Sequence, residues 1–275
     1  MTKSILITGC SSGIGACCAR GLRARGWRVI ASARKAADVA ALRADGFEAV
    51  QLDYADPASV ETGLANCLEM TSGTLDALFS NGAFGIPGAV EDLPRGALAE
   101  IFETNVFGVH DLTRRVIPVM RAQGHGRIVQ HSSILGLVTL KWRAAYVSTK
   151  FALEGLTDTL RLEMRDTNIS ISTLNTGPVT SKIRQNSIPL FEKWIDWENS
   201  ARADQYRNGL LKRLYEERGP DPFELPPEAV LKKLVHALEA PRPKPRYYIT
   251  TPSYFMSTAK RVLPTRALDW LIAKG

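Results

Sequence analysis

Cysteine is scarce in this chain: Cys10, Cys17, Cys18 and Cys67 are the only four among 275 residues, and no two stand in a CxxC pair. A disulfide framework and a thiolate metal site are therefore excluded as organising features. Cys17 and Cys18 read as buried residues of a helix rather than a redox pair, following the burial habit of free cysteine. Histidine is equally sparse, four in all, with none at metal-ligand spacing, so no metal is expected. No apolar run is long enough to cross a bilayer. The chain starts directly on the strand-like "KSILIT" with no signal peptide, which together with reduced thiols reads as a cytoplasmic protein.

An excess of one charge is also missing over most of the length. The formal net charge is +7, but Arg242, Lys244, Arg246, Lys260, Arg261, Arg266 and Lys274 against Asp269 alone place +6 of it after residue 240. A nearly neutral body excludes a nucleic-acid footprint spread over the fold. What is present is ordinary for a globular protein: 45% hydrophobic and 23% charged residues, on a chain long enough to bury a large core unaided.

Short apolar runs alternate with helical patterns. Residues 4–8, 28–32, 49–53, 75–80, 127–132 and 169–175 have the continuous apolar character of strands buried on both faces. Helical patterns fall near 14–25, 36–45, 57–70, 94–122 and 144–166, with a small helix at 227–239 and a last apolar stretch at 247–250. Gly26 and Gly46 are placed to end the first two helices, and Asp56-Pro57 and Leu93-Pro94 to start later ones. Strict alternation predicts right-handed crossovers and a parallel sheet covered by helices. No repeat or linker divides residues 1–275, so one domain is expected. Residues 181–226 break the rhythm with scattered aromatics and prolines. Their place beyond a strand's carboxyl end suits a lid or substrate loop.

The first strand runs into "TGCSSGIG". Gly9, Gly13 and Gly15, with Ser11, Ser12 and Ile14 between them, allow a tight turn whose backbone N–H groups can hold a pyrophosphate at a helix N-terminus. At the second strand's exit an acidic residue would hold a ribose 2′-hydroxyl. Here the chain reads "ASARKAAD", with no acid before Asp38 and with Arg34 and Lys35 at the exit, which favours the 2′-phosphate of NADP(H). Asp53, ending the third strand, is placed for the adenine. The small residues Asn81, Gly82 and Ala83 after the fourth strand let backbone approach a cofactor.

Four polar residues stand out once the strands are placed: Asn105, Ser133, Tyr146 and Lys150. Each alone has an ordinary explanation as a packed amide, a helix cap or a surface pair. Tyr146 and Lys150 lie one helical turn apart. If Tyr146 points toward a nicotinamide, a nearby ammonium and the positive charge of the oxidised cofactor both favour the phenolate and would lower its pKa from about 10.

In that order these residues resemble the short-chain dehydrogenase/reductase family, single-domain branch. The likeness runs along nearly the whole chain, through Thr8-Gly9-x-x-x-Gly13-Ile14-Gly15, Asp53, Asn81-Gly82-Ala83, Asn105, Ser133, Tyr146 and Lys150. It implies a Rossmann α/β fold, doubly wound, with strand order 3-2-1-4-5-6-7. It also implies Tyr146 as general acid/base, Lys150 as its tuner and ribose ligand, Ser133 on the substrate oxygen and Asn105 anchoring a water relay. By the same resemblance Pro178, Val179 and Thr180 face the cofactor, with Thr180 on its carboxamide.

"LITGCSSGIG", the Arg34 exit and Gly177-Pro178-Val179-Thr180 are similar to the 17β-hydroxysteroid/retinol dehydrogenase-like branch. The tail is similar to bacterial NADP-dependent aldehyde reductases of that branch. The expectation is an NADP(H)-dependent carbonyl reductase for apolar aldehydes or ketones. Steroid or retinoid-like alcohols come second, and a nucleotide-sensing binding protein without turnover is the alternative of another class. Phe84, Leu135, Trp142, Phe191 and Trp194 are candidate substrate contacts. A homo-oligomer, dimer or tetramer, is implied. The basic, aromatic tail after Pro241 reads either as an interfacial membrane helix or as one docked on the body.

Overall fold

The computed structural model describes residues 2–216 and 219–273. Lys274 of the basic tail, residues 217–218 of the 181–226 segment and the two chain ends lie outside them. Seven strands form one sheet: β1 (Ser4–Ile7), β2 (Arg28–Ala33), β3 (Glu48–Gln51), β4 (Ala77–Ser80), β5 (Gly126–Ser133), β6 (Ile169–Thr176) and β7 (Arg246–Tyr248). Their order is β3-β2-β1-β4-β5-β6-β7, and every pairing is parallel. This is the doubly wound Rossmann order expected from the sequence.

The two faces can be read residue by residue, because strand side chains alternate. Ile5 and Ile7 of β1, Val29 and Ala31 of β2, and Ala77 and Phe79 of β4 join one core cluster. That cluster is closed by α1 (Gly13–Ala24), α2 (Ala36–Ala44) and α10 (Glu228–Glu239). Leu6, Ile30 and Leu78, one residue out of step, join the opposite cluster under α3 (Pro57–Met70), α5 (Val109–Ala122) and α6 (Ala144–Glu163). Both faces are apolar because both are covered.

The start and stop signals act as expected at three places. Gly26 and Gly46 follow α1 and α2 with φ of +87° and +78°. Asp56 caps α3 by accepting the Ala58 N–H, ahead of Pro57. The helix expected over 94–122 is not continuous. It consists of α4 (Arg95–Phe102), a wide π turn at Glu103–Gly108, and α5. Gly108 lies there against the Tyr54 carbonyl, where a Cβ would come within 2.1 Å of the oxygen. Such turns recur at functional sites.

Residues 181–226 carry α7 (Ile183–Trp194), the short α8 (Ala203–Gln205), a second π turn (Tyr206–Leu210) and α9 (Leu211–Tyr215). They have a small core of their own in Phe191, Ile195, Tyr206, Leu210 and Leu214. The Tyr206 hydroxyl ties it to the body, donating to Asp92 at 2.7 Å and accepting the Ala89 N–H at 2.8 Å. The tail forms α11 (Thr251–Val262) and α12 (Thr265–Ala273). Lys260 of α11 lies 4.3 Å from the centre of the Phe151 ring, so α11 docks on the body, while Phe255 and Val262 stay exposed. No helix among the described residues is long and apolar enough to cross a membrane.

Leu78 sits in the middle strand of the sheet and is fully buried. Leu78→Ala should cost about 2–5 kcal/mol, read from urea unfolding. A loss under about 0.5 kcal/mol would contradict this placement.

Candidate active site

Strand order reverses between β1 and β4, and a cleft of about 730 Å³ opens at the carboxyl ends of the strands there, where such sheets bind ligands. Its floor is the glycine turn. Gly9 and Gly13 take left-handed φ values of +69° and +56°, which glycine adopts without the Cβ cost. Gly15 packs so closely that a Cβ would lie 2.1 Å from the Gly9 carbonyl oxygen. Ser12 provides no side-chain cap to α1, whose first turn holds no acidic residue. The helix therefore presents its first N–H groups, which no intrahelical acceptor uses, to an anion.

Side chains bind the strand ends together beyond the backbone ladder. The Thr8 hydroxyl accepts the N–H groups of Asn81 and Gly82, at 2.9 and 3.0 Å, and so donates its own proton to the Tyr54 hydroxyl at 2.9 Å. The Asn81 amide nitrogen donates to the carbonyls of Thr8 and Gly9. Its oxygen therefore faces His131 Nδ1 at 2.9 Å, which fixes that nitrogen as the donor. His131 Nε2 then accepts from the Thr176 hydroxyl at 2.7 Å. Burial and the Lys150 charge push His131 down to about 3, so the ring is neutral.

Tyr146 and Lys150 project from α6 into the same cleft. Lys150, only 3% exposed, donates to the His131 carbonyl at 2.7 Å, and its ammonium lies 5.4 Å from the Tyr146 ring centre. Burial draws Lys150 down to about 8, with Glu154 as the opposing charge. The expectation that the lysine lowers the phenol is not met by the chain's own groups. Burial wins and pushes Tyr146 up to about 12, with the Ser133 hydroxyl pulling the other way. Ser133 ends β5, its hydroxyl accepting the Leu135 N–H and donating to the Thr176 carbonyl. Asn105 is fully buried in the π turn. Its side chain holds both the N–H and the carbonyl of Phe84, at 3.1 and 2.8 Å, and reaches Thr149.

The cleft brings together most residues singled out from the sequence: Gly9, Ser11, Ser12, Gly13, Ile14, Gly15, Arg34, Asp53, Asn81, Gly82, Ala83, Phe84, Tyr146 and Lys150 all line it. Lys35 and Asp38 flank Arg34 there. Others sit elsewhere. Pro178, Val179 and Thr180 are strapped to residues 224–225 instead, through the Pro178 carbonyl, the Thr180 N–H and the Thr180 hydroxyl on Glu224. Ser181, Lys182 and Ile183 take their place on the cleft wall.

Three candidate substrate contacts are packing residues. Phe191 is 1% exposed in the core of the 181–226 segment. Trp142 packs on Tyr206 with ring centres 4.6 Å apart. Trp194 donates to Glu100 at 2.6 Å and covers Gly96. Leu135 is half-buried just past Ser133 and is not on the cleft wall. An apolar residue in a lid fills the lid's own core as readily as a pocket.

His131, Gln185, Asn186, Pro189 and Leu190 line the cleft without having been singled out. His131 had a signal: in "RIVQHSS" an apolar strand turns polar at its carboxyl end, where this fold class places its site. The α7 residues had none beyond their position after the sixth strand.

The sequence profile of the family described as short chain dehydrogenase matches residues 3–189. A protein of Escherichia coli strain K12 described as "Uncharacterized oxidoreductase YbbO" is 35% identical over 274 residues, covering 99% of this chain and 94% of that one. Human 17-beta-hydroxysteroid dehydrogenase type 1 is 30% identical over 260 residues, covering 90% and 77%. Among solved structures, a short-chain dehydrogenase from Streptomyces avermitilis superposes with a TM-score of 0.78 at 26% identity, over 99% of this chain and 94% of that one. One from Burkholderia phymatum in complex with NAD gives 0.77 at 25% identity, over 95% and 92%.

The half-buried His131 generates a pH prediction. Its folded pKa lies below the unfolded value, so below about pH 6.5 the unfolded chain binds a proton that the folded chain refuses. Its contribution to stability is complete above that pH and is lost as pH falls toward 3. Between pH 6.5 and 5 the wild type should lose up to about 1.4 kcal/mol per pH unit from this group. His131→Gln should flatten that slope in stepped-pH urea unfolding; an unchanged slope would contradict the neutral ring.

Proposed function

The chain belongs to the short-chain dehydrogenase family, and on that premise we propose that it is an NADPH-dependent carbonyl reductase for aldehydes or ketones with an apolar body. One observation carries the reading: Tyr146 and Lys150 meet the glycine turn in a single cleft at the sheet's switch point, with Ser133 beside Tyr146. The nicotinamide cofactor supplies the hydride when bound. The uncapped α1 N-terminus holds its pyrophosphate, and Arg34 with Lys35 takes the 2′-phosphate. Asp53 is assigned to the adenine, and Asn81, Gly82 and Ala83 to close backbone approach. The segment after β6 meets the carboxamide side through Ser181, Lys182 and Ile183, which line the cleft where Pro178, Val179 and Thr180 do not.

At the reacting end Ser133 hydrogen-bonds the substrate oxygen as charge develops on it. Tyr146 gives that oxygen its proton, and a phenol kept protonated by burial suits this direction. Lys150 holds the ribose and keeps a positive charge close to the phenol. Asn105 anchors the far end of a proton relay from the π turn. Phe84, Ile183 and Leu190 offer the apolar body of a substrate its wall. A steroid or retinoid-like alcohol is the second reading, favoured by the likeness to 17-beta-hydroxysteroid dehydrogenase type 1.

Tyr146→Phe should lower turnover at least ~100-fold, the scale of losing a general acid, while a fluorescence titration still shows NADPH binding. Full residual turnover would contradict the mechanism. Arg34→Ala should raise the KM for NADPH about 10–100-fold, as loss of a charge-assisted hydrogen bond does, and leave that for NADH nearly unchanged. Equal changes in both would overturn the NADPH assignment.

A further inference from the structure

A group of arginines lies beside the cleft, with Arg184 set in α7 between the cleft-lining Ile183 and Gln185. Asp221 carries two of them on one carboxylate oxygen, Arg184 of α7 at 3.2 Å and Arg213 of α9 at 3.0 Å. Arg143 is the third. It is half-buried at the N-cap of α6, three residues before Tyr146. Among the described residues its guanidinium has no hydrogen-bond or ion-pair partner. It is close enough to feel the charges of Arg213, Arg184 and Asp221, and burial with the first two draws it down to about 10. Glu224, the next carboxylate, is turned away onto the Thr180 hydroxyl and the Asp221 N–H.

The arrangement is electrostatically incomplete. Among the described residues two guanidiniums bind the Asp221 carboxylate and Arg143 makes no ion pair, and a partly desolvated cation without a counter-charge is costly. The N-terminus of a 20-residue helix adds positive potential at the same spot, and its first turn contains no acid to offset it. Backbone strain marks both sides of the cluster: Trp142, just before Arg143, has φ +68°, and Phe223, two residues after Asp221, has φ +62°. Left-handed conformations of bulky residues persist only where the surroundings impose them. The cluster is also anchored to the site, since the segment after Asp221 is strapped through Leu225 to Pro178 and Thr180.

We propose that Arg143, with Arg184 and Arg213, is a binding site for an anionic group, carboxylate or phosphate, carried by the carbonyl substrate. A planar guanidinium pairs bidentately with either group. Set one helical turn from Tyr146, the site holds the charged end of a substrate whose apolar body lies along Phe84 and Leu190. It is distinct from the Arg34 end, which addresses the cofactor. The inference rests on the reductase reading for the word substrate, but not for the binding of the anion.

The test separates the two. The protein loaded with NADP+ is titrated calorimetrically with 4-formylbenzoate, 4-formylphenyl phosphate and the neutral methyl 4-formylbenzoate. At least one anion is expected to bind ten or more times tighter than the ester, with the preference shrinking as sodium chloride is raised. Which anion leads identifies the group the site takes. Arg143→Gln is expected to bring the ratio close to one, and Arg143→Lys to keep part of it. If Arg143→Gln does not fold, Arg213→Gln takes its place. Equal binding of all three compounds by the wild type, or a preference unmoved by the substitution, would overturn the proposal. Turnover of the same compounds with NADPH reports on the reductase reading separately: a bound anion that is never reduced leaves the site standing and the reductase reading refuted.

Discussion

One buried hydroxyl holds the carboxyl edge of the sheet in its working shape. The β1–β4 ladder stops at Ile7 and Phe79, and the backbone groups beyond it still need partners. Thr8 supplies them, accepting two N–H groups from the β4 exit and donating to Tyr54. Asn81 answers from the other side by donating to the carbonyls of Thr8 and Gly9, and His131 extends the tie to Thr176 at the end of β6. The ends of β1, β4, β5 and β6 are thus fixed relative to one another by side chains that satisfy each other, Thr8 and Thr176 buried and Asn81 and His131 half-buried on the cleft wall. A glycine turn placed on such a support keeps its N–H groups aimed without loss of order, which is what preorganised binding requires.

The same burial sets the proton chemistry. Removing water raises the Tyr146 phenol to about 12 and lowers the Lys150 ammonium to about 8, so each is pushed toward its neutral form. A protonated phenol beside a substrate oxygen is a ready donor, and the reduction proposed for this chain uses it in that form. Oxidation would draw on the phenolate, which burial disfavours in the chain alone. The direction of turnover follows the cofactor and substrate pools.

Much of this was legible in the sequence for reasons that can be named. Continuous apolar runs such as "SILI" mean strands covered on both faces, and alternation with helices means a parallel sheet; the strand order itself came with the family resemblance. The glycine turn, Tyr146 and Lys150 were legible because their spacing is set by the turn and by the helix repeat. The interruption of the 94–122 helix was not, because the π turn depends on Gly108 packing against the Tyr54 carbonyl, a contact 54 positions away in the chain. Phe191 and Trp142 were misread for a similar reason: composition shows an aromatic lid but not which rings turn inward on Tyr206. Lys150 alone does not lower the phenol because a one-turn spacing says nothing of desolvation, nor that Lys150 is directed at the His131 carbonyl.

The central claim is that a hydride and a proton are delivered to a carbonyl in this cleft. It is tested most directly with NADPH carrying deuterium at the transferable position of the nicotinamide, mixed with the protein and benzaldehyde, and analysed by mass spectrometry of the benzyl alcohol formed. The account predicts one deuterium at the carbinol carbon and none in the alcohol when solvent alone is deuterated and the hydroxyl proton is washed out. Alcohol without label from the cofactor, or no alcohol from any carbonyl compound offered, would contradict it.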